Sequence, residues 1–499
     1  MNARLNLASR AARRVPLPLI ALLAVVLMVG FAWALLVPPG QVPDEPNHLQ
    51  YTQSIAERFE LPGSGPEVYS SEQAVALGYA LDGSLPGMPD KKPPWARAAY
   101  ERWQFEESRF PAAYSENGGG YIWQGDNPPL YYAYEAAAYH VSGGDFFDRL
   151  YGMRMFSALF LLVTVTGAWL LAGELFGRNR LLQFVTAAVV GLQPMAGFIS
   201  AGVNPDAALF AFWSIALWLG TRVIRRGLTL RDGVALGLVV GFAFTEKSTS
   251  LALIPAALLA LAVGYWRVRE SNPRARTAAA AALAALALPI VSWAVLAAVL
   301  DRALMNHSPR YPDRVGPSLT SVQDVRRFLS YVWQFYLPRP SFLQPAPFGS
   351  EGGDPLYHTW MKSGWAAFGW LEVRLPEWVY KTLGWVSAGA LVGGVVAAAR
   401  GVLRDPRLLW LVAFFAVAVV GLLFIVHWAE FTIVTLENIP FIQGRYILPL
   451  LPLGAAAVAG AIGLLPRIPR AAAAGVVVGG LLTLQIGALG VNLGRYFVA

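Results

Sequence analysis

A chain of 499 residues that is 56% hydrophobic and only 14% charged lacks the charges to coat a soluble surface of its size, so its composition is that of a polytopic membrane protein. The formal charge of +8 would suit nucleic acid, but the arginines sit in short clusters between apolar runs rather than along one basic face, which argues for membrane orientation and against a nucleic-acid partner. The absence of cysteine excludes disulfides, thiolate metal sites and cysteine nucleophiles.

A hydrocarbon core about 30 Å thick needs roughly 20 apolar residues per spanning helix. Eleven runs meet this description, at 16–37, 155–175, 181–201, 207–223, 231–245, 249–266, 278–300, 382–399, 408–426, 446–465 and 471–491, the fifth being the shortest. The first has a basic flank like a signal peptide but no small-residue cleavage site before Pro38-Pro39-Gly40, and is read as a retained helix. With Arg4, Arg10, Arg13 and Arg14 in the cytoplasm, alternation of sides puts Arg178/Arg180, Arg222/Arg225/Arg226/Arg231, Arg267/Arg269/Arg274/Arg276, Arg400/Arg404/Arg407 and Arg467/Arg470 inside. Two long connections, 38–154 and 301–381, then lie outside. The expected organisation is a membrane module over 1–300 that includes the first outer loop, a second outer loop over 301–381, and C-terminal helices over 382–499.

Chemistry-bearing phrases recur at the outer ends of the spans. After the first comes Val42-Pro43-Asp44-Glu45-Pro46-Asn47-His48, two adjacent carboxylates fixed between prolines. Within the first outer loop, Asp126-Asn127-Pro128-Pro129-Leu130-Tyr131-Tyr132 reads as the start of an interfacial helix too short to span. Gly202-Val203-Asn204-Pro205-Asp206 precedes the fourth span, Thr245-Glu246-Lys247-Ser248 closes the fifth, and Phe441-Ile442-Gln443-Gly444-Arg445-Tyr446 opens the tenth. Asp44, Glu45, Asp126, Asp206, Lys247 and Arg445 therefore share one membrane level, where ionisable groups are costly and often functional. The plain alternatives are that Asp44, Asp126 and Asp206 cap helices and that Lys247 and Arg445 anchor at the interface.

These phrases, in this order, with Tyr51 shortly after the acids and Arg154 opening the second span, resemble the GT-C superfamily of integral-membrane glycosyltransferases. Phe368-Gly369-Trp370-Leu371 and Gln443-Gly444-Arg445-Tyr446 resemble a bacterial branch of predicted membrane proteins known only as a domain of unknown function, DUF2142. The resemblance covers about 16–452. It implies an all-α GT-C fold in a bacterial cytoplasmic membrane, with the N-terminus inside and the active site outside. It further implies inverting transfer of a sugar from a polyprenyl-phosphate donor to an acceptor hydroxyl on a glycan, lipid or protein of the cell envelope.

On that resemblance Asp44 is the base, with Glu45 beside it. Relatives often carry lysine before the Pro-Pro pair; Asn127 stands there here, which leaves the donor phosphate to Lys247 and Arg445. The chemistry agrees, since an acceptor hydroxyl needs a carboxylate as its proton leaves and a departing phosphate needs a fixed cation. His48, Tyr51, Asp126, Asn127, Asn204, Asp206, Gln443 and Tyr446 are the expected supporting or substrate-binding residues. The cofactor is open: Glu45, His48 and Asp126 are the candidate ligands for Mg2+, Mn2+ or Zn2+, without diagnostic spacing. Arg154 is expected to pair with an outer-loop acid. The competing readings are a transporter or flippase of a lipid-linked saccharide, and a ligase-like transferase of a polyprenyl-pyrophosphate glycan built on Arg339, Arg310 and His307.

Overall fold

The computed structural model describes residues 15–498 apart from 64, 67–68, 81–84, 89, 94–96, 111–117, 123, 305–315 and 347–354. Arg4, Arg10, Arg13, Arg14, His307 and Arg310 lie outside the described residues.

The described chain is built of helices. In order these are α1 (Leu17–Leu36), α2 (Glu45–Gln53), α3 (Ser71–Tyr79), α4 (Arg97–Glu107), α5 (Leu130–Ser142), α6 (Phe146–Phe176), α7 (Arg180–Gly191), α8 (Pro194–Ser200), α9 (Asp206–Arg226), α10 (Leu230–Glu246), α11 (Leu253–Val268), α12 (Ala275–Val299), α13 (Val322–Tyr336), α14 (Glu377–Arg404), α15 (Leu409–Glu437), α16 (Leu451–Gly463) and α17 (Arg467–Phe497). Strands are confined to two antiparallel pairs, β1 (Gly65–Pro66) with β2 (Tyr121–Ile122) and β3 (Ala367–Phe368) with β4 (Val373–Arg374).

Among the described residues nine helices are long and apolar enough to cross a membrane, or ten if the bent pair α7 and α8 is one span. The expectation of eleven counted α10 as a full span. At 17 residues it reaches roughly 26 Å, short of the hydrocarbon thickness. The third run, expected as one helix over 181–201, bends by 58° between α7 and α8. Its cause is local: Pro194 has no N–H to give, and the Gln193 side chain caps the new helix by accepting the Ala196 N–H at 2.5 Å. The second helix begins nine residues before the expected start, at an Asp145/Asp148 capping box, so Arg154 lies inside α6 rather than at its mouth.

Helix α9 is the hub, with 78% of its apolar window buried and α6, α10 and α11 packed around it. Gly233, Gly237 and Gly241 recur every fourth residue on α10 and face α12. A Cβ at Gly237 would stand 2.3 Å from the Ala282 carbonyl oxygen, so the two backbones touch only because the side chain is absent. In contrast, no residue in the apolar window of α14 is fully buried, and one side of this helix packs on α16 through Gly393 and Gly394.

The two ends of the bundle carry different charge chemistry. At one end Glu174 closes on Arg226 at 2.7 Å and Arg222 on Asp232 at 3.0 Å, which gathers the end of α6, the end of α9 and the start of α10. At the other end lie the two lobes expected from the long connections. The first lobe holds α2 to α5, with α5 packed on α6 through Tyr131, Tyr132, Phe146 and Trp103. In the second, α13 packs on α15 through Phe328, Tyr331 and Phe431.

Candidate active site

Four chain breaks at this second end bring the phrases together. Past α1 the backbone turns at Asp44, which adopts a left-handed φ of 62°, unusual for a residue with a side chain. That turn starts α2, and the Asp44 carbonyl accepts the Asn47 and His48 N–H groups at 3.1 and 3.2 Å. The Asp44 side chain makes no capping bond. Its carboxylate instead accepts from Arg445 Nη2 at 2.6 Å, across 401 residues of sequence.

Asp206, the first residue of α9, likewise spends its carboxylate away from the helix end. Lys247 Nζ reaches Asp206 Oδ1 at 2.5 Å, and Arg445 Nε stands 3.9 Å from Oδ2. Asn204 staples this acid to the first phrase: its Oδ1 accepts the Asp206 N–H at 2.9 Å while its Nδ2 donates to the Pro43 carbonyl at 2.9 Å. Tyr446 floors the two cations, with Lys247 Nζ 5.3 Å and the Arg445 guanidinium carbon 5.1 Å from its ring centre. The result alternates in sign: Asp44, Arg445, Asp206, Lys247.

Arg445 is 4% exposed, and among the described residues its Nε and Nη1 have no hydrogen-bond partner, the 3.9 Å from Nε to Asp206 Oδ2 being too long for one. Buried guanidinium donors are almost always bonded, so two open ones beside a bonded Nη2 mark a place shaped for an anion. The Gln443 Oε1, two residues before, is buried and, among the described residues, likewise without a partner.

Burial pushes the Asp44 carboxyl up, but Arg445, His48 and Lys247 together outweigh it and hold the group below its ordinary range. Asp44 is therefore a carboxylate at neutral pH, one-third exposed and able to meet a solvent-borne group.

A second set centres on Tyr132. His48 Nδ1 lies 2.9 Å from its hydroxyl, Asn127 Nδ2 donates to the same oxygen at 3.0 Å, and Tyr51 stacks on its ring with centres 3.8 Å apart. Tyr51 also donates to the Asn127 carbonyl at 2.8 Å. Burial drives the His48 imidazole down to about 4, so the ring is neutral at physiological pH. Asp126 sits half-buried in the turn ahead of α5.

Glu45 faces the other way from Asp44. Its carboxylate takes Arg154 Nε at 2.7 Å and Nη2 at 2.5 Å, together with the Gly40 N–H at 2.9 Å and the Val203 N–H at 3.2 Å. Four donors fill its lone pairs, and the side chain is 1% exposed. Arg154 thus pairs with an acid of the 38–154 connection, as its position in the sequence suggested. Glu45 has no lone pair left for a metal, and His48 Nδ1 is engaged by Tyr132. No group of three His, Asp or Glu side chains among the described residues is arranged to hold a metal ion, so Glu45, His48 and Asp126 do not assemble as the ligand set entertained from the sequence.

Arg339, the described member of the ligase-like set, is exposed and donates to the Leu343 carbonyl at 2.7 Å. It takes no part in the cluster. Three groups at this end have no role in the sequence reading, although Tyr132 and Glu246 lie within its phrases. Tyr132 joins His48 to Asn127. Glu246, adjacent to Lys247, is 2% exposed, and among the described residues neither carboxylate oxygen has a hydrogen-bond partner. Glu430 lies in mid-helix, where only a lone acid in an apolar run could have drawn attention.

A family model described as "Predicted membrane protein (DUF2142)" matches residues 27–454. One relative, an undecaprenyl phosphate-alpha-4-amino-4-deoxy-L-arabinose arabinosyl transferase of Pseudomonas fluorescens, is 36% identical over 134 residues, 25% of this chain and 23% of its own. Among solved structures, ArnT from Cupriavidus metallidurans bound to undecaprenyl phosphate is 16% identical, with a TM-score of 0.44 over 90% of this chain and 60% of its own. The archaeal oligosaccharyltransferase AglB from Archaeoglobus fulgidus, in complex with an inhibitory peptide and a dolichol-phosphate, is 11% identical, with a TM-score of 0.47 over 96% of this chain and 56% of its own. The chain spans less than two thirds of each of these proteins.

Proposed function

The chain belongs to the DUF2142 family of predicted membrane proteins, and on that premise we propose that it is an inverting glycosyltransferase taking its sugar from a polyprenyl-phosphate donor. The observation that carries this reading is the pairing of an ionised, solvent-reachable Asp44 with a buried Arg445 that keeps two donors open.

In the proposed reaction the acceptor oxygen attacks the anomeric carbon of the sugar. The bond from that carbon to the phosphate oxygen breaks, and the phosphate leaves with the electron pair. Asp44 takes the acceptor's proton as its oxygen becomes committed to the new bond. Arg445 and Lys247 neutralise the leaving phosphate, the former by its planar fork and the latter as a point charge. Asp206 holds both cations in place. Glu45 has no direct chemical part; locked on Arg154, it fixes the turn that aims Asp44. Gln443 and Glu246 offer acceptors to sugar hydroxyls.

A lipid-linked donor is compatible with a cavity of about 460 Å3 lined by the residues that follow Arg445 and Tyr446 in the chain, although none of the charged cluster lines it. Ile447, Leu448, Leu450 and Leu451 line it, facing Trp360 and Trp365, and this apolar wall suits an isoprenoid chain whose head group would lie at Arg445. On this reading the site faces the extracytoplasmic side of the cytoplasmic membrane and the acceptor is a hydroxyl of the cell envelope.

The test is a transfer assay with purified protein in nanodiscs, a panel of synthetic polyprenyl-phosphate sugars and a membrane extract as acceptor. Transfer by the wild type and none by Asp44→Asn supports the reading. Passage of a lipid-linked sugar across the membrane without transfer to any acceptor overturns it in favour of a flippase.

A further inference from the structure

Helix α15 is apolar almost throughout, yet Glu430 sits in it 1% exposed and, among the described residues, without an ion-pair partner. A carboxyl group at that depth is costly unless its oxygens are bonded. The bonds it makes are specific. After α15 ends at Asn438, which takes a left-handed φ of 55°, the chain doubles back and both the Phe441 and the Ile442 N–H donate to Glu430 Oε2 at 2.9 Å.

Immediately downstream a second anchor closes on the same strand. The Gly444 N–H donates to Ser363 Oγ at 2.7 Å, and the backbones are so close that a Cβ at Gly444 would stand 2.1 Å from the Gly364 nitrogen. Arg445 is the next residue. Its stem is therefore clamped from α15 on one side and from Ser363, at the end of a short π-helical segment (Tyr357–Ser363), on the other, before its guanidinium reaches Asp44.

We propose that Glu430 is a positioning residue that sets the guanidinium of Arg445 for the donor phosphate, through its two bonds to the Phe441 and Ile442 backbone. This rests on the role given to Arg445 above. Misplacing a charged group by about 1 Å can cost on the order of a hundredfold in a reaction it supports, so the effect of losing the clamp is measurable.

The geometry gives the test its discrimination. Among the described residues both backbone bonds go to the same oxygen of Glu430, so the amide oxygen of Glu430→Gln can replace it while Glu430→Ala cannot. The experiment titrates a short-chain polyprenyl phosphate into the full-length protein in nanodiscs, for wild type, Glu430→Ala, Glu430→Gln, Arg445→Ala and the Glu430→Ala/Arg445→Ala double variant. The expected result is a Kd raised by about ten- to a hundredfold in Glu430→Ala and within about twofold of wild type in Glu430→Gln, with the double variant no weaker than Arg445→Ala alone. Ser363→Ala, which removes the other anchor, is expected to weaken binding in the same direction and carries the test if Glu430→Ala does not fold.

Wild-type affinity in both Glu430→Ala and Ser363→Ala overturns the proposal, as does an additive loss in the double variant, because Glu430 would then act by another route. An equal loss in Glu430→Gln also overturns it. If the wild type fails to bind the polyprenyl phosphate, or Arg445→Ala binds it as tightly as wild type, the phosphate clamp itself is wrong and this inference falls with it.

Discussion

Glu45 and Arg154 meet in a bidentate ion pair, at 2.7 and 2.5 Å, with both side chains essentially excluded from solvent. Arg154 also donates to the carbonyl oxygens of Ala34 at 3.1 Å and Pro38 at 2.9 Å, so one guanidinium ties the end of α1 and the start of α2 to α6. Removing either partner strands a buried charge, which costs roughly 3–5 kcal/mol. Arg154→Ala and Glu45→Ala are each expected to lower the thermal midpoint of the detergent-solubilised protein clearly. A Glu45→Ala variant as stable as wild type would contradict the buried pair.

Turnover should divide differently between the two adjacent acids. Asp44→Asn keeps the shape of the side chain but cannot accept the proton, and a loss of about a hundred- to ten-thousandfold in kcat is expected, with polyprenyl-phosphate affinity at least retained. Single-turnover transfer and equilibrium binding on the same preparation check this. Residual turnover near wild type would remove Asp44 as the base.

The two cations should act on binding of the donor. Arg445→Ala leaves Asp44 without its closest cation and removes the open donors, whereas Lys247→Ala leaves Asp206 partly served by Arg445. The larger rise in donor KM is therefore expected for Arg445→Ala. Arg445→Lys should fall between, because an ammonium cannot present a planar fork. Steady-state kinetics across a donor series measures the order; a larger effect at Lys247 would reverse the assignment.

The pH dependence has a definite sign. The Asp44 pKa is depressed in the folded protein, so its ionised form, and the stability its ion pair contributes, are present above the ordinary carboxylate range and lost only as pH falls through the lowered value. The acid limb of kcat/KM is expected below that ordinary range, and in Arg445→Ala it should move upward. A limb that does not move would show that Arg445 does not set the Asp44 charge.

His48 adds a separate pH effect on stability. With its pKa lowered to about 4 by burial, the unfolded chain binds a proton that the folded one refuses, so stability declines as pH falls from about 6.5 toward 4 and flattens below. The full effect is on the order of 3 kcal/mol. His48→Gln, which can still bond to Tyr132, should flatten that part of the curve in pH-dependent thermal melts.

Much of the architecture was legible because it depends on local composition. Runs of about 20 apolar residues, the arginine clusters between them and the Pro-Pro-Leu-Tyr-Tyr start of α5 each follow from residues close in sequence, and the family match over 27–454 agrees with the phrases that suggested it. The bend at Gln193-Pro194 was written in the chain but hidden inside a continuous apolar run. The short reach of α10 was visible as length alone.

For the site, the sequence determined the inventory: acids and cations at the ends of several helices. Which of two neighbouring acids faces Arg445 was decided only by tertiary structure. The left-handed turn at Asp44 sends its side chain to a residue 401 positions away and sends Glu45 to Arg154, 109 positions away. Spacing along a helix or strand says nothing about such pairings, because they depend on how separate helices pack. Glu430 shows the same limit: its function in the fold lies in two backbone N–H groups, which no side-chain pattern can report.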